Sequence, residues 1–186
     1  KKFSKKYIQL RILPIINYIN SSKNNKFLIG GAQGVGKSTI IKLIKIILEK
    51  YYKKNILSLS LDDFYLTKDK RKLLASNEHK LLITRGVPGT HNTKEILNVI
   101  KRFNKKLYPI KIPLFDKLLD NKLKKKKIIN KKCDILILEG WCCGCKPITS
   151  EYLYKNINYI EKSQDNSFIW RKFYNKKLKH DYKKIF

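Results

Sequence analysis

The 186-residue sequence contains no methionine and few acidic residues, and it has no apolar run long enough to span a bilayer. Methionine is missing even at position 1, so we expect the chain to be a fragment or a processed form of a longer protein. The longest early apolar run, Leu10 to Ile19, is interrupted by Arg11, Pro14 and Asn17, and no signal peptide is evident. We therefore expect no membrane partner.

Acidic residues number only 14, against 43 Lys and Arg, and the formal net charge is +29. Arginine is also scarce: 38 of the 43 basic residues are Lys, spread along the chain with abundant Asn and Ile. The codons of these three residues are rich in A and T, so genome base composition explains the charge better than a nucleic-acid-binding surface, which typically uses Arg. We expect no specific nucleic-acid partner. A basic nucleic-acid-binding ATPase stays as an alternative that rests on charge alone.

The four cysteines do not have the spacing of a disulfide framework. Cys142, Cys143 and Cys145 lie within four residues of one another, and Cys133 is the only other cysteine. This usage fits a reducing compartment, and we expect the cytoplasm. Zinc sites usually have two separated pairs of ligands, so we expect these cysteines to pack in a loop rather than to bind a metal.

The segment FLIGGAQGVGKST, residues 27–39, matches the phosphate-loop pattern G-x-x-x-x-G-K-S. It follows an apolar run and opens a segment of helical periodicity, a context that a chance glycine-rich turn would lack. The glycines let successive backbone N–H groups face one anion, while Lys37 reaches the β- and γ-phosphates and Ser38 offers its hydroxyl to Mg²⁺. The predicted ATP-binding residues are Gly31, Ala32, Gln33, Gly34, Val35, Gly36, Lys37, Ser38 and Thr39.

Strand and helix patterns alternate along the chain and predict an α/β fold of three layers with a mainly parallel sheet. Apolar runs predict strands at residues 27–30, 56–61 and 135–138. Apolar periodicity predicts helices at residues 7–20 (interrupted near Pro14), 37–53, 93–106 (capped by Thr93) and from Phe168 onward. Residues 67–82 are predicted to form a charged helix with a loop end. We expect one domain over residues 1–186, with an N-terminal helical segment (1–26) and a nucleotide-binding core (27–186).

Two later segments carry weaker signals. Residues 122–132 are rich in Lys and predict a solvated loop or hairpin. Five large side chains recur at helical spacing near the C-terminus and favour a core face over a base-stacking platform. They are Trp170, Phe173, Tyr174, Leu178 and Tyr182.

Carboxylates follow two of the predicted strands. Asp62 and Asp63 come after the strand at 56–61, and Glu139 ends the strand at 135–138. Since ligands of parallel α/β sheets bind at the carboxyl ends of the strands, we expect these residues to meet the phosphate loop. An aspartate there can take the proton of an attacking hydroxyl, and Glu139 can bind Mg²⁺ directly or through water. The alternatives are a turn carboxylate and a buried, satisfied Glu.

Three other residues can serve a site, although spacing alone favours a surface or turn role for each of them. Arg85 and Lys117 can hold an anionic substrate, or they are solvated surface residues. His91 lies in a Gly- and Pro-rich loop and is more typical of a turn than of a catalyst.

Five blocks, in order, carry a resemblance to a known family: GGAQGVGKST, SLDDFYLT, LLITRGVPGTHN, IPLFDK and DILILEGWCCGCKP. Residues 7–186 resemble D-glycerate 3-kinase, of the P-loop small-molecule kinases that include uridine kinase, phosphoribulokinase and pantothenate kinase. The resemblance implies transfer of phosphate from ATP, with Mg²⁺, to a hydroxyl of a small carboxylate. It implies D-glycerate as the acceptor and 3-phosphoglycerate as the product, and a plastid as an alternative compartment.

The resemblance also implies roles for individual residues. Asp62 is the catalytic base, acting with Lys37, and Ser38 and Glu139 hold the metal ion. The residues on the substrate side are Asp63, Tyr65, Arg85, Thr90, His91 and Lys117.

The sequence departs from the family pattern at three positions and in length. Asn92, Leu114 and Lys122 stand where the family usually has Asp, Arg and Arg. The family continues past residue 186 with further strands and a basic lid, so we expect a sheet that is incomplete at its C-terminal end. The alternatives to a glycerate kinase are a kinase for pantothenate or a nucleoside, and a catalytically impaired nucleotide-binding fragment.

Overall fold

Three parallel strands form the central sheet: β1 (Lys26–Gly30), β2 (Ile56–Ser60) and β7 (Ile135–Gly140). They belong to a computed structural model that describes residues 3–186. The strand order is β1-β7-β2, and both pairings are parallel. Within the described residues β1 pairs with β7 alone. The carboxyl ends of all three strands meet at one edge of the sheet.

Helices and short strands complete the fold. The α-helices are α1 (Lys5–Tyr7), α2 (Leu13–Ser21), α3 (Lys37–Tyr51), α4 (Lys68–Asn77), α5 (Thr93–Asn104), α6 (Ser150–Leu153), α7 (Tyr159–Gln164) and α8 (Ile169–His180). The short strands are β3 (Ile110–Ile112), β4 (Phe115–Asp116), β5 (Asn121–Lys122) and β6 (Lys127–Ile129), which form the antiparallel pairs β3-β6 and β4-β5. None of the helices in residues 3–186 has the length and apolar character needed to cross a bilayer.

The central strand β7 is buried on both faces, because successive side chains of a strand point to opposite sides. Leu136 and Leu138 pack into a core with residues of α5 and the C-terminal segment. Ile135 and Ile137 pack into a second core with residues of α2 and α3. Helices therefore cover both faces of a parallel sheet, and the predicted three-layer α/β fold is confirmed.

The interruption predicted near Pro14 takes the form of a π-helix, Ile8–Ile12, between α1 and α2. Proline lacks an N–H, and in a regular α-helix its ring clashes with the carbonyl group four residues earlier. A wider turn just before Pro14 accommodates both effects, so the helix continues instead of breaking. Ile16 and Ile19 of α2 can then join the core formed with α3.

Two helix boundaries differ from the prediction. Helix α4 ends at Asn77, and a separate 3₁₀ turn covers Lys80–Ile83. Helix α5 is capped by Asn92, whose side chain accepts a hydrogen bond from the Glu95 N–H at 3.2 Å and donates one to the Glu95 carboxylate. The prediction that Thr93 caps this helix was therefore wrong, since an asparagine one residue earlier satisfies the first-turn donor.

The Lys-rich segment at 122–132 is exposed at every residue except Lys122 and Ile129, in agreement with the predicted solvated loop or hairpin. Its strand β6 pairs antiparallel with β3. Lys122 is half-buried, and its ammonium group forms an ion pair with Glu95 of α5. The Lys-rich segment thus contains one strand of an antiparallel pair, and Ile129 of that strand packs against the core.

The aromatic stripe near the C-terminus lies mainly in the core. Phe173, Leu178 and Tyr182 are buried, and Trp170 and Tyr174 are half-buried. Leu178 and Tyr182 pack in the same core as Leu138 of β7, below the site described next. The prediction of a core face is confirmed for these three buried residues.

Candidate active site

The phosphate loop joins β1 to α3 at the carboxyl edge of the sheet. Gly34 and Gly36 have φ values of 78° and 89°, in the left-handed region that favours glycine. No side chain caps the first turn of α3, so its N–H groups are left for a ligand. Lys37 donates through Nζ to the carbonyl oxygen of Ala32 at 2.7 Å, which closes the loop on itself. An anion entering this loop offers Lys37 a stronger, charged partner.

The carboxylate of Glu139 on β7 connects the first turn of α3 to strand β2. Its Oε1 atom accepts hydrogen bonds from Ser38 Oγ and Ser60 Oγ, each at 3.0 Å. Glu139 is 7% exposed, and it lines the same cavity as Ser38. The expected meeting of the β7 carboxylate with the phosphate loop is therefore observed.

Asp62 and Lys117 form an ion pair in the wall of the cavity. Asp62 lies in a 3₁₀ turn, Leu61–Phe64, that follows β2. Lys117 Nζ donates to Asp62 Oδ2 at 2.7 Å, with exposed fractions of 63% and 31% for the two side chains. Both partners are thus accessible to a ligand, and the exposed lysine can move without loss of packing.

Asp63, the residue after Asp62, has its side chain directed away from the cavity. Asp63 Oδ1 accepts a hydrogen bond from the backbone N–H of Phe115 at 3.5 Å, and the residue does not line the cavity. Burial raises the pKa of the Asp63 carboxyl. The structure thus places Asp62 in the cavity and Asp63 behind it, where it anchors strand β4.

The cavity has a volume of about 810 Å³ and contains charged groups of both signs. Of the predicted site residues, it brings together the loop, Asp62, Tyr65, Arg85, Lys117 and Glu139. Its full lining consists of Gln33, Gly34, Gly36, Lys37, Ser38, Thr39, Asp62, Tyr65, Ile83, Thr84, Arg85, Lys117, Asp120, Glu139, Gly140 and Trp141. The phosphate loop and the cationic side chains of Arg85 and Lys117 therefore line one cavity.

Thr90 lies outside the cavity and is fully buried. Its hydroxyl accepts from the Gly86 N–H at 3.1 Å and donates to the Val87 carbonyl oxygen at 2.7 Å. These two bonds hold the Gly- and Pro-rich loop in shape. The structure thus places Thr90 as a support for Arg85, which begins the loop.

His91 lies behind Tyr65, and its ring stacks on the Tyr65 ring at 4.3 Å. Its Nδ1 atom is 2.5 Å from the hydroxyl oxygen of Tyr182, which also accepts from the Gly89 N–H at 3.0 Å. Burial lowers the pKa of His91 to about 3, against a smaller opposite effect of the Asp62 charge. The imidazole is therefore neutral near pH 7, and it supports the wall of the cavity rather than carrying a charge in it.

We expect His91 to make the fold less stable in mild acid. The unfolded chain protonates this histidine below about pH 6.5, whereas the folded chain does so only near pH 3, so stability falls as the pH falls through that window. Between pH 7 and pH 5 the expected loss from this residue is about 2 kcal/mol. Urea denaturation at the two pH values measures it.

The matched variants are His91→Phe and His180→Phe, since His180 is exposed on α8. His91→Phe should remove most of the difference in unfolding free energy between the two pH values, and His180→Phe should keep it. Equal differences in both variants would exclude His91 as the source.

Sequence reasoning missed Arg71 and Asp120. Arg71 is fully buried, and it donates through Nη2 to Asp120 Oδ2 at 2.5 Å. Asp120 also accepts from Arg85 and lines the cavity. Arg71 lies in a helix read only as charged, and Asp120 immediately precedes the Lys-rich segment, so neither belongs to a motif. The residue type of Arg71 was the only signal in the sequence, because arginine is rare in this chain.

The cysteines after β7 pack as loop residues. Cys142 is fully buried and Cys143 nearly so, whereas Cys145 is exposed. Burial raises the pKa of the Cys142 thiol to about 12, so it stays protonated. Within residues 3–186 no three His, Cys, Asp or Glu side chains are grouped as a metal site.

Comparison with known proteins relates the chain to kinases, although no protein-family model matches it. The chain is 41% identical over 133 residues to the probable ATP-dependent kinase TDA10 of Saccharomyces cerevisiae, a match that covers 63% of the chain and 45% of that protein. It is 30% identical to the uncharacterized kinase mug58 of Schizosaccharomyces pombe, over 95% of the chain and 66% of that protein. The chain thus spans about half to two thirds of the length of these curated relatives.

A solved structure extends the comparison to the fold. The D-glycerate 3-kinase of Cryptococcus neoformans superimposes with a TM-score of 0.76 at 24% sequence identity. The match covers 98% of this chain and 70% of that one. At this identity the likeness shows a common fold.

Proposed function

Because the chain belongs to the superfamily of P-loop small-molecule kinases, we propose that it transfers the γ-phosphate of ATP to a hydroxyl of a small carboxylate, D-glycerate, giving 3-phosphoglycerate. One observation carries the proposal: a single cavity contains the phosphate loop, the carboxylate of Asp62 and the cations Arg85 and Lys117. A kinase for an anionic acceptor requires these three kinds of group within reach of one another.

ATP binds through the loop residues 31–39. The left-handed glycines and the uncapped first turn of α3 direct backbone N–H groups at the β- and γ-phosphates. Lys37 leaves the Ala32 carbonyl oxygen and contacts the γ-phosphate, where its charge offsets the charge that develops during transfer.

The donor set fits Mg²⁺, which prefers oxygen ligands and usually binds through one or two carboxylates together with substrate phosphates and water. Ser38 and Glu139 supply a hydroxyl and a carboxylate oxygen that already lie 3.0 Å apart. These two residues would hold the ion against the phosphates. Bound there, Mg²⁺ neutralises phosphate charge and orients the γ-phosphate.

Asp62 accepts the proton of the acceptor hydroxyl. The hydroxyl oxygen forms a bond to the γ-phosphorus, the bond from that phosphorus to the β,γ-bridging oxygen breaks, and ADP leaves. Arg85 binds the carboxylate of the acceptor. Lys117 orients the Asp62 carboxylate through their ion pair at 2.7 Å before the acceptor enters.

An adjoining pocket favours a second class of acceptor. This pocket, of about 310 Å³, shares Arg85 and Trp141 with the cavity and is lined mostly by apolar groups, among them Val87 and Trp170. It has room for an arm that glycerate lacks. A pantothenate-like hydroxy acid or a nucleoside is therefore the alternative acceptor.

The proposal is tested by coupled ADP release from Mg-ATP on the 186-residue chain, with D-glycerate, pantothenate, uridine or no acceptor. We expect release that depends on D-glycerate and on Mg²⁺. Release with pantothenate or uridine alone would replace the acceptor and keep the kinase. ATP binding by calorimetry without release for any acceptor would contradict catalysis by this chain.

A further inference from the structure

A cluster of two arginines and one aspartate lies at the acceptor side of the cavity. Arg85 donates through Nη1 to Asp120 Oδ1, and Arg71 donates through Nη2 to Asp120 Oδ2 at 2.5 Å. The guanidinium groups of Arg85 and Arg71 lie 5.6 Å and 5.8 Å from the centre of the Phe115 ring. Arg85 and Asp120 line the cavity, whereas Arg71 lies behind them. The cluster thus presents one cation and one anion, side by side, to an acceptor.

Asp120 is fixed in this position. Arg71 also donates to the Asp120 backbone carbonyl oxygen at 3.0 Å, so it holds both the side chain and the main chain. Arg71 is fully buried, and its Nε and Nη1 atoms have no hydrogen-bond partner within residues 3–186. Moving Asp120 away would leave a buried cation without a counter-ion, which is strongly unfavourable. An acceptor therefore meets Asp120 in place and does not displace it.

Arg85 and Asp120 each have hydrogen-bonding groups that the cluster does not use. Each carboxylate oxygen has two acceptor sites, and each arginine occupies one on its own oxygen, so Asp120 can still accept from a ligand hydroxyl. Arg85 is 30% exposed and uses only Nη1 in the cluster, so its other N–H groups can bind a carboxylate. The pair is complementary to a carboxylate that carries a hydroxyl on the adjacent carbon, a 2-hydroxy acid.

We infer that Asp120 is a specificity-determining residue that accepts a hydrogen bond from the 2-hydroxyl of the acceptor. The inference rests on the proposed function. With the carboxylate on Arg85 and the 2-hydroxyl on Asp120, the 3-hydroxyl is the group left for Asp62. These three contacts address three substituents of one carbon atom, so the same residue selects both the hydroxyl that is phosphorylated and the enantiomer that binds.

The test compares kcat/KM for D-glycerate with that for 3-hydroxypropanoate, which lacks only the 2-hydroxyl. For the unsubstituted chain we expect a preference for glycerate of about 10- to 100-fold, the usual effect of a hydrogen bond to a charged group. Asp120→Ala should reduce the preference to less than about threefold and should release some 2-phosphoglycerate, detected by phosphorus NMR. The double variant Arg71→Met with Asp120→Ala should show the same reduced preference as Asp120→Ala. It also removes the buried arginine that Asp120→Ala leaves without a counter-ion.

The matched control is Asp116→Ala, in the same hairpin. Asp116 accepts from the Leu118 and Leu119 N–H groups and does not line the cavity. The Asp116→Ala variant should keep the glycerate preference of the unsubstituted chain. Equal rates for both acceptors in the unsubstituted chain, or an unchanged preference in the Asp120 variants, would overturn the inference and leave the kinase proposal standing. If D-glycerate is not phosphorylated at all, the inference and D-glycerate as the proposed acceptor are both overturned.

Discussion

Asp62→Asn should lower kcat for phosphoryl transfer by about a thousandfold, the contribution typical of a general base. The amide cannot accept the acceptor proton, and it cannot form the ion pair that Asp62 forms with Lys117 at 2.7 Å. ATP binding should change little, because Asp62 lies in the turn after β2 and is not part of the phosphate loop. Single-turnover kinetics measure the chemical step, and calorimetry with ATP measures the binding.

Asp63→Asn is the matched comparison, since it removes the adjacent carboxylate. Asp63 bonds to the Phe115 N–H and does not line the cavity, so we expect its variant to lose some stability and to keep most of kcat. The assignment of the base would be reversed if Asp63→Asn lost the larger share of kcat. Retention of turnover in Asp62→Asn, with folding intact, would exclude Asp62 as the base.

The parts of this site that could be predicted from the sequence depend on short patterns and on one topological rule. The phosphate loop is contiguous, so its residues and its conformation are encoded within 13 positions. Asp62 and Glu139 are far apart in sequence, but each follows an apolar strand. Parallel strands bring their carboxyl ends together, and this rule predicts that both residues lie at the loop.

The acceptor side could not be predicted in the same way. Arg71 and Asp120 are separated by 49 positions, and their pairing depends on how the β4-β5 hairpin folds against α4. Thr90 and His91 lie in a block that resembles a substrate site, yet their side chains support the loop from behind. Distinguishing a supporting residue from a contacting one requires the direction of the side chain, which a pattern does not contain.

The scarcity of arginine indicates which basic residues have a structural role. Only 5 of 43 basic residues are Arg, although the codon bias favours Lys. Three of the five, Arg71, Arg85 and Arg171, form ion pairs that are wholly or partly buried. A planar guanidinium group with five donors can satisfy several acceptors at once, which an ammonium group cannot do. Arginine in a Lys-rich chain therefore indicates positions where geometry, and not charge alone, is required.

Arg171 forms the most connected of these ion pairs, in a region where sequence analysis predicted only an aromatic core. It is 1% exposed, and its Nε atom donates to Asp165 Oδ2 at 2.9 Å while Nη1 lies 3.5 Å from Glu161 Oε2. Other N–H groups bond to the carbonyl oxygens of Lys155 and Asp165 and to the side chain of Asn156. One arginine thereby connects α8 to the irregular segment around α6 and α7.

Arg171→Met should lower the free energy of unfolding by about 3–5 kcal/mol, because it leaves the buried carboxylates of Asp165 and Glu161 without their cation. In a domain of this size the melting temperature should fall by roughly 10 °C. Urea denaturation measures the free energy, and hydrogen exchange should be faster for amides of residues 150–164, which the arginine holds in place.

Arg102→Met is the matched control, since Arg102 is only half-buried and its side chain forms one hydrogen bond within residues 3–186, to the Pro109 carbonyl oxygen at 2.9 Å. That variant should cost about 1 kcal/mol or less. Arg171→Lys should recover only part of the loss, because an ammonium group reaches fewer of the six acceptor groups around the site. If Arg171→Met and Arg102→Met were equally stable, the network would be a by-product of packing; if Arg171→Lys were fully stable, charge alone would explain it.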